Sequence, residues 1–475
     1  MQITTPDGAL VPMQVERFRG AKASDGLRLV RVPADKTLET IAALQRQPDV
    51  LYAEPNYLLH ISLDPNDTHY TLGRQFGLQK IGAPHAWNTR TGSTGTERVV
   101  IGVMDQGIAF NHADLNANRW INPAEIAGNA VDDDLNQFAD DVNGFNFVDN
   151  NATLFSGNDS EFHGTHVAGI AGAVGNNGTG VAGVNWSVGL MSLRVLDSAG
   201  GGDTADAIAA AKYALMMRQL WESSSHTKGA NIKVLNASFG GSEFSQSFFD
   251  TIEDLNDAGI LMVAAAGNST NGARQLNNDL APHFPADYDS PNMMSILSTN
   301  ETDDVSDFSH FGATRVDLGA PGEGVLSTTP PCVNPSLLSC FPDFPSNNPP
   351  DNADTYTVLE GTSMAAPHVS GAAALLWAQN PALSVQKVKL LLMMNGDIVP
   401  SLANKTLTGR RLNIGKSFDA LAENDTTAPG TVGSFHISSQ AGRSVTVGWT
   451  ASGDDGAAGK ASLYELRFTD TNGAV

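Results

Sequence analysis

Cysteine is almost missing from this chain: its 475 residues contain two. One pair cannot build the disulfide framework that holds small secreted scaffolds together, so stability has to come from packing. Basic residues are scarce as well, 28 Lys and Arg against 51 Asp and Glu, for a formal net charge of −23. A surface of that sign repels nucleic-acid phosphates and anionic lipid, which argues against both as partners. No run approaches the roughly 20 apolar residues that a membrane-crossing helix needs. The first residues, MQITTPDGALVPMQVERF, lack the basic-then-apolar pattern of a secretory leader. That leaves a cytoplasmic protein, or one whose leader lies outside this sequence.

Apolar residues (41%) and glycine (47 positions) are plentiful, as in a globular protein with many tight turns. The length predicts two or three domains. Residues 24–58 read as a small α/β unit: a strand over Leu27–Val32, a helix over Thr37–Gln47 capped by Thr37, and a second strand in VLYAEPNYLLHI. From Arg98 to Ser417, near-continuous apolar runs at 99–104, 190–196, 233–238, 260–266 and 292–298 alternate with Ala-rich helices. Strands buried on both faces read this way, so an α/β fold with a central, mainly parallel sheet is expected. Functional residues in such sheets gather beyond the carboxyl ends of the strands. After Leu421 comes a polar linker, ENDTTAPGT, and then SFHISS, SVTVGWTAS and LYELRF alternate as strands. So few strands make no sandwich, and the chain is expected to stop inside a β-domain.

Three distant segments carry chemistry: VVIGVMDQG around Asp105, EFHGTHVAGIAG around His163, and EGTSMAAPHVSGAAALL around Ser363. A serine hydroxyl needs a base to become a nucleophile, and an imidazole base needs a carboxylate to fix its tautomer. The order Asp, His, Ser is one of three in which this geometry is found. Ser363 opens a helix of small residues, where free N–H groups and the dipole favour a developing anion. Pro367 is expected in the first turn of that helix. Read alone, Ser363 is equally an N-cap. His163 and His166 share one helix start; His166 is better placed to face the interior, which leaves His163 as the base. Asp105 ends a buried strand, and pairing with imidazole accounts for its burial and its charge better than a helix cap or calcium ligation does. Asn268, in AAAGNST, offers an amide donor to an oxyanion, or else is a turn asparagine.

These segments, with LNASFGG, resemble the subtilases, the subtilisin-like serine endopeptidases, over roughly residues 64–420. The resemblance implies a three-layer subtilisin-like fold over 63–421, a triad of Asp105, His163 and Ser363, and an oxyanion donor in Asn268. It implies that Ser238, Phe239 and Gly240, together with Gly200, Gly201 and Gly202, pair with an extended peptide. Ala265, Ala266 and Gly267 would wall the primary specificity pocket. Residues 1–62 resemble an inhibitory propeptide cut autocatalytically near 58–64, which makes the chain a zymogen and its own inhibitor. After a linker at 422–430, residues 431–475 resemble the opening of a fibronectin type III domain. A secreted monomer acting on proteins or peptides follows from the same resemblance. Three positions depart from the family pattern: Gln106 replaces the usual Ser or Thr after the aspartate, Ala113 replaces Pro in His112-Ala113-Asp114-Leu115, and His283 stands where a smaller residue often lies near the base of the primary pocket.

Calcium is the expected cofactor, in a structural role, because a serine mechanism needs no metal. NNGTGVAGV resembles the family's tight calcium loop, implying Asn177, Thr179 and Val181 as ligands with Asp114 and Asp67. In DDDLNQFADD, Asp132, Asp134, Asn136 and Asp140 recur at alternate positions with the Phe138 carbonyl between them, a spacing suited to wrapping one ion. A solvated acidic loop is the other reading. Asp149, Asn151 and Thr153 form a third set. Cys332 and Cys340 lie in one Pro-rich loop with seven residues between them, and a local disulfide there implies an oxidising compartment, with two free thiols as the alternative. Two rival functions stay in view. An inactive subtilase-like binding or adhesion module is prompted by Gln106 and the β-domain. An esterase would want Gly-x-Ser-x-Gly, whereas Ser363 lies in Gly-Thr-Ser-Met-Ala.

Overall fold

The computed structural model describes residues 2–6, 8–17, 26–33, 36–56, 63–158, 160–269, 275–330, 356–422, 431–441 and 444–450. Cys332, Cys340, most of the 422–430 linker and the LYELRF segment fall outside them. The chain divides into two compact units, residues 1–61 and 62–475.

The larger unit is built on a nine-stranded sheet. Its strands in chain order are β1 (Val100–Asp105), β2 (Gly144–Asn146), β3 (Gly189–Arg194), β4 (Ile232–Ala237), β5 (Leu261–Ala265), β6 (Met293–Thr299), β7 (Leu318–Pro321), β8 (Asp397–Ile398) and β9 (Arg410–Arg411). Their spatial order is β8-β9-β7-β6-β5-β4-β1-β3-β2, and every pairing is parallel except β8 with β9. The five apolar runs seen in the sequence are β1, β3, β4, β5 and β6, all buried on both faces apart from Lys233. Three layers result. Ile101 and Val103 of β1 face a cluster built with helices α1 (His163–Gly172) and α4 (Thr362–Gln379). Val100 and Met104 face the other side, where α2 (Thr204–Ser223) and α3 (Gln246–Asp257) lie. The expected α/β class with a mainly parallel sheet is therefore the observed one.

Alternation of side chains along a strand explains how one short strand serves both cores. It also fixes the site. The sheet runs outward in both directions from β1, through β3 on one side and β4 on the other, so β1 ends at the switch point where ligand crevices form. Asp105 is the last residue of β1.

The 1–61 unit holds two antiparallel pairs, Gln2–Thr4 with Leu10–Pro12 and Gln14–Arg17 with Arg28–Arg31, and a helix over Thr37–Leu44. Two expectations need correction. The helix starts at Thr37 itself, so Thr37 is its first residue and not its cap. Residues 50–56 of the second expected strand form none, and Pro55 has no N–H to offer a ladder; the rest of that segment, 57–61, lies outside the described residues. Further along, Gly433–Ala441 and Ser444–Thr450 pair as an antiparallel hairpin.

Candidate active site

Asp105 is fully buried and His163 partly so. Both carboxylate oxygens of Asp105 lie 2.9 Å from His163 Nδ1. Burial opposes a charge on the ring, but the charge of Asp105 and its hydrogen bond outweigh that and hold the His163 pKa above its ordinary value. His166 behaves in the opposite way. It is fully buried, its Nε2 meets the Thr357 carbonyl at 3.1 Å, and burial drives its pKa down to about 3. Of the two histidines on α1, only His163 meets a carboxylate. The close approach depends on Gly164: a Cβ there would stand 2.3 Å from the Gly107 carbonyl and 3.0 Å from Asp105 Cβ.

Ser363 is the second residue of α4. Its Oγ donates to the Ser238 carbonyl at 3.1 Å, and Ser238 Oγ donates back to the Ser363 carbonyl at 2.9 Å. That reciprocal pair has a cause in Pro367, which lies inside α4 rather than in its first turn as expected. Proline has no N–H, so the carbonyl four residues earlier, that of Ser363, loses its helical partner. The Ser238 hydroxyl supplies the missing donor. Ser363 Oγ and His163 make no hydrogen bond to each other; such contacts often tighten only when substrate is bound. Asn268 Oδ1 accepts from Thr362 N at 2.9 Å and Thr362 Oγ1 at 3.0 Å, which turns its Nδ2 away as a donor. A Cβ placed on Gly361 would lie 3.5 Å from both Asn268 Nδ2 and Ser363 N, so the two donors flank one space. Gly361 has φ 154°, and no side chain fills that space.

The expected substrate rims follow the two strands beside β1. Gly200, Gly201 and Gly202 lie in an exposed turn after β3, closed by Asp197, whose Oδ1 accepts from Ala199 N at 2.8 Å and Gly201 N at 2.9 Å. Ser238, Phe239 and Gly240 continue from β4. Ala265, Ala266 and Gly267, at the end of β5, are buried. His283 contacts both walls: a Cβ on Gly240 would meet its Nε2 at 2.3 Å, and one on Gly267 would meet its Cδ2 at 3.0 Å. Burial, and then the facing His310, push the His283 pKa down to about 4.

Gln106, the departure beside Asp105, is buried and well bonded. Its N–H donates to Asp105 Oδ1 at 2.7 Å, its Oε1 accepts from His163 N at 3.2 Å, and its Nε2 reaches the carbonyls of Asp197 (3.2 Å) and Ser198 (3.4 Å).

The first expected calcium set comes together. Asp67 and Asp114 are both fully buried. Asn176 N donates to Asp67 Oδ2 at 2.6 Å, while Asn177 Nδ2 (2.8 Å), Val181 N (2.9 Å) and the Tyr356 hydroxyl (2.9 Å) all reach Asp114. Thr179 N bonds Asn177 Oδ1 at 2.8 Å, so the loop closes on itself around the two acids. Burial raises the pKa of both, and the charge of Asp114 raises that of Asp67 further. Asp67 Oδ1 is buried without a partner. An orphaned carboxylate oxygen beside a second acid suits a hard cation, so these residues fit calcium.

The second set is rearranged. Asp134 joins Glu125 and Asp141 in a cluster whose oxygens all lie within 4.8 Å of one another, able to hold a metal ion. Asp140 turns away to accept from the N–H groups of Gly128, Asn129 and Ala130, and Asp132 accepts from Asn136 N and Gln137 N. Asn136 donates to Asp141, and the Phe138 ring packs on Phe145, Phe147 and Tyr213. Glu125 and Asp141 escaped the sequence reading because strict alternation selects Asp140 over its neighbour and never reaches back to Glu125. In the third set, Asn146 Nδ2 donates to Asp149 Oδ2 and the Thr153 carbonyl, both at 3.0 Å, while Asn151 Oδ1 accepts from Thr153 N at 2.8 Å. Each of those oxygens accepts one hydrogen bond from within the loop or from Asn146.

Comparison with known proteins agrees with this geometry. The model of the subtilase family, Peptidase_S8, matches residues 96–433. Thermitase of Thermoactinomyces vulgaris is 34% identical over 320 residues, 67% of this chain and 88% of its own. An extracellular protease of Xanthomonas campestris pv. campestris is 33% identical over 397 residues, 79% of this chain and 61% of its own. Among solved structures, a protease from Pseudoalteromonas arctica superposes with a TM-score of 0.54 at 26% identity, over 76% of this chain and all of that one. In sequence, fold and the grouping of Asp105 with His163, the chain is a member of the subtilase family.

Proposed function

We propose that the chain is a serine endopeptidase that hydrolyses peptide bonds through an acyl-enzyme on Ser363. The observation that carries this reading is the bidentate approach of Asp105 to His163 Nδ1, both contacts 2.9 Å, in a subtilase whose Ser363 opens a helix. Asp105 holds the ring so that Nε2 is the basic nitrogen. Ser363 Oγ attacks the substrate carbonyl carbon as His163 takes the hydroxyl proton. The carbonyl oxygen becomes an oxyanion, held by the Ser363 N–H and Asn268 Nδ2. His163 then gives its proton to the leaving amine, and the C–N bond breaks. Water, deprotonated by His163, hydrolyses the ester and returns the proton to Ser363.

Substrate main chain pairs with Gly200–Gly202 on one side and Ser238–Gly240 on the other. Residues 1–62 act as a propeptide, residues 422–430 as a linker, and residues 431–475 as the opening of a fibronectin type III-like domain. Secretion is supported by the extracellular relative named above. Asp67, Asp114, Asn177, Thr179 and Val181 would hold calcium, with Glu125, Asp134 and Asp141 as a second position. When bound, calcium supplies charge neutralisation to buried carboxylates and takes no part in the reaction.

The test is cleavage of denatured casein, and covalent labelling by a serine-directed phosphonate, with wild type beside Ser363→Ala. Wild type cleaves and is labelled, and the variant does neither. A wild type that does neither, once residues 1–62 are removed, overturns the reading in favour of a binding module.

A further inference from the structure

Two parts of the proposed site, the start of α1 and the turn after β3, meet at one side chain. His163 N belongs to the first turn of α1, where backbone donors have no partner within the helix. The Asp197–Gly202 turn lies beyond β3, which ends at Arg194, so sheet bonds do not hold it. Gln106, only 5% exposed, spans them with its Oε1 on His163 N and its Nε2 on the Asp197 and Ser198 carbonyls. A Cβ on Gly200 would lie 3.8 Å from the same Nε2, so the amide also backs the rim.

We propose that Gln106 is a positioning residue that ties the base-bearing helix to the substrate-binding rim, holding His163 and the 197–202 turn in one fixed relation. The inference rests on the endopeptidase reading above. The chemistry demands an amide here. One end must accept from an N–H while the other donates to carbonyls, and only a side chain carrying both functions does this. Serine or threonine, the usual residue after the aspartate, is too short to reach from Asp105's neighbour to both. Glutamate would keep the acceptor but set an oxygen against the carbonyls of Asp197 and Ser198. The substitution that looks like a defect in the motif is then a different way of bracing the same corner.

Three variants, made as the full chain and assayed beside wild type once residues 1–62 are removed, separate the two arms: Gln106→Met, similar in length and without hydrogen bonds; Gln106→Ser; and Gln106→Glu, which keeps only the acceptor. Phosphonate titration first counts competent sites, so that misfolded protein is removed from the rates. Steady-state constants are then measured with a blocked tetrapeptide anilide and with a single-residue ester. Gln106→Met and Gln106→Ser are expected to raise KM for the tetrapeptide about three- to tenfold while changing KM for the ester by less than about twofold. Their kcat falls on both substrates, because His163 has lost its brace. Gln106→Glu is expected to show the tetrapeptide KM defect and a pH–rate profile whose acidic limb moves upward, since a second carboxylate faces His163. A residue that merely fills space would give Gln106→Met wild-type constants on both substrates, and that result overturns the proposal. Equal KM losses on ester and tetrapeptide overturn it too. Failure of wild type to be labelled at Ser363 is a separate result and overturns the endopeptidase reading itself.

Discussion

At the residue scale, the chemistry rests on which polar atoms are left over once local bonds are made. Asn268 spends its oxygen on Thr362, which leaves an amide N–H beside Gly361. Asn268→Ala is therefore expected to lower kcat by about 10²- to 10³-fold with little change in KM, read with the tetrapeptide anilide. A variant with unchanged kcat would place the oxyanion elsewhere. His163 gives a second expectation. Its pKa is raised by Asp105 against burial, and a base must be neutral, so activity appears only as pH rises through the raised value. The acidic limb of kcat/KM should thus have its midpoint above about 6.5, and Asp105→Asn should bring it down. The sign for stability runs the other way: the favourable ion pair is fully present below the unfolded histidine value and is lost as pH rises through the folded one. Asp105, His163, Ser363 and Asn268 were legible in the sequence because each sits in a short motif whose neighbours are small. Gln106 was legible only as a departure. That its amide spans two elements depends on where α1 and the 197–202 turn meet, and no local pattern carries that distance.

At the scale of elements, close approach does the positioning. Gly164→Val would press a side chain into the Gly107 carbonyl and Asp105. It is expected to cost about 1–3 kcal/mol, seen as a Tm lower by about 1–4 °C in a domain of this size, together with loss of phosphonate labelling. An unchanged Tm would mean α1 is free to slide. The strands β1, β3, β4, β5 and β6 could be read from sequence because burial on both faces leaves a continuous apolar run. The short β2, β7, β8 and β9 could not. β8 and β9 hold two residues each, and the buried charge of Arg411 is paired with Asp303 and Asp397, both distant in sequence. Pro367 was placed a turn too early for a related reason. Its tolerance inside α4 depends on Ser238, a residue 129 positions away from it in the sequence.

At the scale of the whole molecule, a net charge of −23 has to coexist with buried carboxylates. Asp67 and Asp114 repel each other inside the protein, and a bound cation would remove that cost. A chelator is accordingly expected to lower Tm on the order of 10 °C, reversed by added calcium and not by magnesium, as followed by differential scanning calorimetry. No shift would remove the ion from the account. The sheet order sets a further property. The two rims extend from β3 and β4, which lie on either side of β1, and so stand two strand spacings apart, about 9.6 Å. On the proposed mode of binding, one extended chain would fill that gap with main-chain bonds on both sides, and a helix or a paired strand in a target has no free N–H and C=O groups to offer. The molecule would in effect measure disorder. A folded target would be cut no faster than the fraction of time its segments spend open, so the rate of cleavage would report the target's local stability more than its sequence.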